Sequence, residues 1–410
     1  MELKKKVPEV RFKGFSGEWE ADVLGELTDV YDGTHQTPHY TDNGIMFLSV
    51  ENIKTLKSEK YISEEAFKKE FKISPQKGDV LMTRIGDIGT ANVVESNEPK
   101  AYYVSLALLK FKKLNPYFLK ESISSDSVAK SIFHKTLHIA FPKKINKNEI
   151  AKVVIPYPKI GEEQSRIGSW FQHLDQLITL HQKKYNKLTN IKKAMLEKMF
   201  PKNGADVPEI RFEGFEGKWE KRTLGDVADV TKLAGYEFTK YIEYSDEGTI
   251  IALRGLNVKN GAINLNDVKF IDQSDFSKLN RSKLFKADIL FTYVGTIGEL
   301  AIIPENNKFY LAPNVARFRL SDDLFSPFIL QTIGSKEYYD KIISPLIATS
   351  SQPALSMENI RKFVLKLPVF KEQQKIGTYF QKLDQLITLE QTQIEKLQNI
   401  KKACLEKMFV

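Results

Sequence analysis

The chain is written twice. VPEVRFKGFSGEWE at 7–20 returns as VPEIRFEGFEGKWE at 207–220, with ten of 14 positions identical. QHLDQLITLHQKKYNKLTNIKKAMLEKMF at 172–200 returns as QKLDQLITLEQTQIEKLQNIKKACLEKMF at 381–409, with 21 of 29 identical. Between these blocks the likeness thins: GDVLMTRIGDIG at 78–89 matches ADILFTYVGTIG at 287–298 in six of 12 positions. A period of about 200 residues is far too long for a solenoid, whose repeats run to about 20–45 residues. Each half therefore reads as a whole domain followed by a helix, with ends that do one job twice and a middle that has diverged on a common frame.

The middles are mixed α/β. β-rich runs bounded by turn residues stand at 45–50, 79–83, 103–111 and 153–155, and again at 249–253, 288–293, 310–320 and 363–367. Helical stretches at 116–135 and 327–343 begin with Pro in the first turn. The ends are long amphipathic helices. Phe171, Leu174, Ile178 and Leu188, matched by Phe380, Leu383, Ile387 and Leu397, carry the 3-4 apolar spacing of a coiled-coil seam. Leu177 and Ile191, with Leu386 and Ile400, widen that stripe. About 40 residues of helix span ~60 Å, and a duplication favours two antiparallel helices related by a pseudo-two-fold. The expected organisation is a domain at 1–158, a spacer helix at 159–201, a second domain at 202–368 and a second spacer helix at 369–410.

Composition removes several classes. No run of 18 apolar residues occurs, so no membrane-spanning helix is expected. One cysteine, Cys404, allows no internal disulfide and no cysteine-based zinc site, and a cytoplasmic protein is the simple inference. Sixty-one Lys and Arg against 52 Asp and Glu leave a net charge of +9, which favours an anionic partner.

Catalytic patterns are missing. There is no G-x-x-x-x-G-K-[ST] loop, no G-x-S-x-G elbow and no Ser-His-Asp order. The pairs Gly86/Gly89 and Gly295/Gly298 lack the third glycine of a dinucleotide site and read as turns between strands. His134 and His138 have zinc-pair spacing without the glutamate, and read as solvent-facing histidines on a helix. Asn115-Pro-Tyr-Phe118 lacks the second proline of an amino-methyltransferase loop, so Asn115 reads as a helix cap. The balance is for binding rather than catalysis.

Polar loops in the middles carry groups that read nucleic acid. Arg84 and Tyr293 are matched positions. Ser49 and Asn52 match Arg254 and Asn257. Thr34 and Gln36 lie in a Gly-Thr loop, and Lys143 and Lys144 lie opposite Ser351 and Gln352. Arg, Asn and Gln pair with base edges, and Ser, Thr and Lys suit phosphates. Two reading domains with different loops point to an asymmetric, bipartite DNA site.

Taken together, the duplicated VPE-[VI]-RF-x-GF-x-G-x-WE openings, the Gly33-Thr34…Asn43-Gly44-Ile45 stretch leading to Ser49-Val-Glu-Asn52, the GD-[VI]-L-type strands and the repeated LDQLITL helices resemble the specificity subunit of type I restriction-modification enzymes. The resemblance implies two target-recognition domains separated by conserved helices. It also implies a complex with double-stranded DNA, two methyltransferase subunits and two restriction subunits. S-adenosylmethionine, ATP and Mg would be bound by those partners only, and this chain would have no cofactor and no catalytic residue. The second half lacks the Gly-Thr-x-Pro pattern over 233–241, so its groove-facing loop is expected to differ. A coiled-coil adaptor without a DNA role is the alternative class.

Overall fold

The computed structural model describes residues 6–202, 204–233, 235–259, 261–348 and 353–410, with the backbone alone at 238. They form two units: the chain up to Lys183 together with Gln391–Val410, and Lys184–Glu390.

The first unit contains β1 (Glu20–Val23), β2 (Thr28–Asp32), β3 (Ile45–Leu48), β4 (Tyr61–Ile62), β5 (Val80–Thr83), β6 (Ala91–Val93), β7 (Lys100–Tyr102), β8 (Leu106–Phe111) and β9 (Val154–Tyr157). A four-stranded antiparallel sheet runs β2-β8-β5-β6. A smaller sheet runs β4-β3-β7, with β3 and β7 parallel. All four residues of β5 are buried, because successive side chains face opposite ways and both faces are covered. Val80 and Met82 pack with Leu109, Leu119, Ile132 and Ile150 on the helical side. Leu81 packs with Leu108, Phe47 and Tyr102 on the side of the small sheet.

The second unit repeats the plan with β10 (Glu220–Thr223), β11 (Ala228–Lys232), β12 (Ile251–Leu253), β13 (Val258–Lys259), β14 (Ala262–Ile263), β15 (Lys269–Phe270), β16 (Ile289–Thr292), β17 (Leu300–Ile302), β18 (Phe309–Leu311), β19 (Val315–Leu320) and β20 (Val364–Leu367). Its large sheet is β11-β19-β16-β17 and its small sheet β15-β12-β18, while β13 and β14 form an added hairpin. Ile289 and Phe291 face one core with Phe318 and Phe328, and Leu290 faces the other with Leu253 and Leu311.

Two expected strands divide. The run 103–111 starts only at Leu106, because a turn whose Leu106 N–H donates to Tyr103 O (2.9 Å) sends β7 and β8 into different sheets. The run 310–320 breaks in the same place, where Asn314 adopts φ +70°, a conformation that asparagine tolerates better than most residues. The expected helix over 116–135 also divides, into Pro116–Ile123 and Asp126–Lys135. There the Ser125 hydroxyl donates to Ser122 O at 2.7 Å, an alternative to continuing the helix. Asn115 caps the first piece, its Oδ1 accepting from the N–H groups of Tyr117 and Phe118 at 3.1 Å each.

The long helices are Gly161–Met199 and Phe370–Lys407. Each begins in its own half and ends in the core of the other unit. In the first unit, Phe409 lies 5.8 Å from Phe171, 5.5 Å from Phe118 and 6.0 Å from Trp19, centre to centre. In the second unit, Phe200 lies 5.9 Å from Phe380, 5.5 Å from Phe328 and 5.9 Å from Trp219. Within the first unit the two helical segments run antiparallel, with Lys401 donating to Asp175 at 2.6 Å. Within the second, Lys192 meets Asp384 at 2.6 Å.

The spacer residues therefore do more than line a seam. Phe171, Leu174, Phe380 and Leu383 are buried in the cores of their units, whereas Ile178 and Ile387 are half-buried. Leu188 packs on the core of the second unit and Leu397 on that of the first. Leu177 and Leu386 do not widen the inner stripe. They are 43% and 45% exposed, one residue and so about 100° round the helix from Ile178 and Ile387. Ile400 is 37% exposed as well, while Ile191 packs on the core of the second unit.

The repeated opening segments tie these junctions down. Arg11 makes a fork to Glu163 at 2.6 and 2.8 Å, and Arg211 does the same to Glu372 at 2.7 Å twice. Val10 N–H donates to Lys407 O and Ile210 N–H to Lys198 O, both at 2.9 Å. Gly168 permits the long helix to pass so close to the capped helix that a Cβ would stand 2.8 Å from Asn115 Oδ1. Gly377 does the same in the second unit.

Candidate nucleic-acid interface

In the first unit backbone hydrogen bonds string the candidate loops along one edge. Thr34 N–H donates to Tyr102 O (3.1 Å), and Val104 N–H returns to Thr34 O (2.9 Å). Ser105 accepts at its hydroxyl from Val50 N–H (3.1 Å) and at its carbonyl from Arg84 N–H (2.9 Å). Gly86 N–H donates to Lys143 O (2.9 Å), and Ile85 forms a β-bridge with Lys144. Thr34, Ser49, Arg84, Lys143 and Lys144 are thus brought to one place, and Asn52 and Gln36 sit on the loops beside them.

The second unit holds the same frame. Ala312 N–H donates to Leu253 O (3.1 Å), Tyr293 N–H to Asn314 O (3.2 Å), Leu355 N–H to Tyr293 O (2.9 Å) and Gly295 N–H to Pro353 O (3.1 Å). Ser351 and Gln352, expected in this loop, lie outside the described residues. The Gly-x-x-Gly pairs are turns: Gly86, Gly89, Gly295 and Gly298 have φ between +77° and +99°, which glycine adopts without steric cost.

Along this edge the expected readers separate into exposed groups and groups that build the loops. Arg84 is a builder. It is 6% exposed, its guanidinium pairs with Asp32, and its Nε donates to Ile145 O at 3.1 Å. Tyr293, its match, is 9% exposed under Lys232, and burial pushes its phenol above the ordinary value. Neither presents a free edge to a base.

Asn52 and Asn257 are builders too. Asn257 is fully buried; its Oδ1 accepts from Arg254 N–H (3.0 Å) and its Nδ2 donates to Asn264 O (3.0 Å) and Asp267 O (2.7 Å). Asn52 repeats the pattern, accepting from Ser49 N–H (2.9 Å) and donating to Lys57 O (2.8 Å). Both amides are spent on loop backbone, so the base-pairing expectation for them is corrected. Arg254 is half-buried and paired with Asp267 at 2.8 Å. Thr34 Oγ1 accepts from Gln36 N–H (3.3 Å). Gln36, Lys143 and Lys144 are exposed.

Other side chains are pushed outward by the same loops. In the first unit these include His35, His39, Tyr40, Ile139 and Phe141. In the second, where the first-half loop pattern is missing, Gly235–Tyr241 is a short helix and Tyr236 on it is 63% exposed. Their signal in the sequence was apolar or aromatic residues inside polar loops. His134 and His138 are not one helical pair. The helix ends at Lys135, and the His138 ring nitrogen bonds Phe133 O at 2.8 Å. Among the described residues, no group of three or more His, Cys, Asp or Glu side chains could hold a metal ion. No described helix is long and apolar enough to cross a membrane.

Comparison with known proteins places this architecture. The model of the type I restriction modification DNA specificity domain matches residues 17–190 and again 216–399. The chain is 24% identical over 338 residues to the MjaVIII specificity subunit of Methanocaldococcus jannaschii, covering 79% of this chain and 74% of that one. It is 32% identical over 154 residues to the EcoKI specificity subunit of Escherichia coli, covering 36% of this chain and 32% of that one. The solved S subunit of the type I restriction-modification system from M. genitalium has the same fold, with a TM-score of 0.68 at 15% identity over 98% of this chain and 99% of that one. Two matched copies of the domain, each with its long helix, account for most of the chain, and the protein belongs to the specificity subunits of type I restriction-modification systems.

Proposed function

We propose that the chain is the non-catalytic DNA-reading subunit of its complex, one unit reading each half of an asymmetric bipartite site. The observation that carries this is the pairing of a shared frame with different edges. The same backbone bonds hold the loop edge in both units, yet one presents a Gly-Thr loop where the other presents a short helix. A protein that read the same half-site twice would have no use for that divergence. Exposed Gln36, Lys143, Lys144 and the loop aromatics are the groups offered to DNA. Lysines on such an edge supply salt-dependent phosphate binding, while neighbouring side chains discriminate bases.

The long helices set the unread gap between the half-sites, and their outer faces dock partners. Leu177 and Leu180 are 43% and 48% exposed, and their matches Leu386 and Leu389 are 45% and 52% exposed. The same apolar pair offered twice suits two copies of one subunit, the methyltransferase, with two restriction subunits joining for cleavage. S-adenosylmethionine, ATP and Mg then belong to those partners, and adenine N6 is the methylated atom.

The test is the adenine-methylation pattern of DNA from cells that co-express this chain with its methyltransferase. One bipartite motif, methylated only when the chain is present, is the expected result. An assembled complex that methylates without sequence preference would remove the reading role.

A further inference from the structure

Ile139 and Phe141 are 99% and 103% exposed, more than any other large apolar side chains among the described residues. They stand at the tip of a hairpin closed by Leu137 N–H donating to Lys144 O at 2.8 Å and anchored by Gly86 N–H on Lys143 O at 2.9 Å. Below the tip, the Phe133 and His138 rings lie 4.3 Å apart and brace it. Lys143 and Lys144, both exposed, follow the tip on the returning strand.

We propose that this tip is a wedge for duplex DNA, with Phe141 entering the base stack of one half-site and Ile139 filling the space beside it. The inference rests on the DNA-reading role above and goes beyond it by naming an inserted side chain. Leaving a whole phenyl ring and a whole isoleucine in water forgoes the burial that such side chains otherwise gain, so their exposure calls for an apolar occupant. The occupant must also be anionic at its rim, because two exposed lysines follow the tip. A DNA groove meets both needs: phosphates along its walls and apolar base faces within. Apolar side chains inserted between base steps partly unstack them, and the rigid closure of the hairpin keeps the ring from folding back instead. The corresponding loop of the second half carries Thr349, Ser350, Ser351 and Gln352 in its sequence. The wedge therefore belongs to one half-site only.

The full chain, assembled with its methyltransferase, tests this. The motif is read first by methylation sequencing, and duplexes are then made with 2-aminopurine at each position of each half-site in turn. Besides the target adenines, which the methyltransferase turns out of the stack in both half-sites, the wild-type complex is expected to change 2-aminopurine fluorescence at one further step, in a single half-site. Phe141→Ala is expected to remove that change, weaken cognate binding by roughly tenfold or more and leave non-specific affinity and its salt dependence in place. Phe141→Trp is expected to restore stacking. Opening the same step beforehand with a mismatch should recover part of the affinity lost by Phe141→Ala, which a merely structural residue would not show. Wild-type affinity and an unchanged motif in Phe141→Ala would overturn the wedge. So would loss of assembly with the methyltransferase in both Phe141→Ala and Phe141→Trp, which would make the tip a protein contact. If the wild-type complex itself had no preferred sequence, the reading role would fall, and the wedge with it.

Discussion

Lys232 Nζ lies 5.4 Å from the centre of the Tyr293 ring, at the position where Asp32 pairs with Arg84 in the other unit. Both contacts join the end of the first strand of the large sheet to the residue that opens the Gly-x-x-Gly turn. Ion pair in one unit and cation–ring contact in the other, the partners have changed together while the contact has stayed. That is how a frame drifts when its geometry is needed and its chemistry is free. Arg84→Ala is therefore expected to cost about 1.5–3 kcal/mol of stability in the first unit, the range for losing a charged hydrogen bond, with the DNA motif unchanged. Lys232 and Tyr293 should couple by about 0.5–2 kcal/mol in a double-mutant cycle. Denaturant unfolding measures both. A relaxed half-site in Arg84→Ala at unaltered stability would instead make Arg84 a reader.

Glu163 and Glu372 are fully buried, and each is held by the fork of one arginine. Replacing one with glutamine keeps the volume and leaves its arginine without a counter-charge. The expected cost is about 3–5 kcal/mol per site, as for other buried pairs broken on one side. Hydrogen exchange should rise in the first unit for Glu163→Gln and in the second for Glu372→Gln. Equal rises in both units for either variant would show that they do not unfold separately.

Asp175 gives the junction in the first unit an acid limit. Burial alone would push its carboxyl up, but Lys120 and Lys401 outweigh that and hold it below 3.8. A carboxylate whose pKa is lower folded than unfolded contributes stability that is present above the unfolded value and lost as pH falls through the folded one. Lys120 works the other way: burial opposes its charge, yet Glu121 and Asp175 hold it above 10.5, so its contribution is lost as pH rises through that higher value. The Trp19 fluorescence of the wild type should report loosening of Phe409 at strongly acidic pH. Asp175→Asn should be loosened already at neutral pH and show less further change on acidification.

The helices act as a ruler if the gap between half-sites follows their length. Inserting seven residues in frame at the midpoint of the first long helix keeps the apolar stripe nearly in phase and adds ~10 Å. The expected outcome is a methylated motif with a longer gap, or no methylation if the second helix is not lengthened to match. An active complex with the original gap would show that helix length does not set it.

Much of this was written in the primary structure. The duplication, the two long helices, the turn glycines and the Asn115 cap each rest on local pattern, and each is found where the pattern puts it. What failed failed on how the loops close. Arg84, Asn52 and Asn257 have side chains suited to bases, yet Asp32, distant in sequence, claims Arg84, and backbone groups of their own loops claim the two asparagines. Ile139 and Phe141 carry no sequence motif that marks them out. Nothing local says that a hairpin closure will hold them outside.

The sequence by itself determined that there are two copies of one frame and that each ends in a long amphipathic helix, because repetition and periodicity are properties of neighbours along the chain. Only the tertiary structure decided which core each helix end enters. Apolar spacing specifies that a stripe must be buried but not against what, and Phe200 and Phe409 find their aromatic partners in the unit formed by the opposite half.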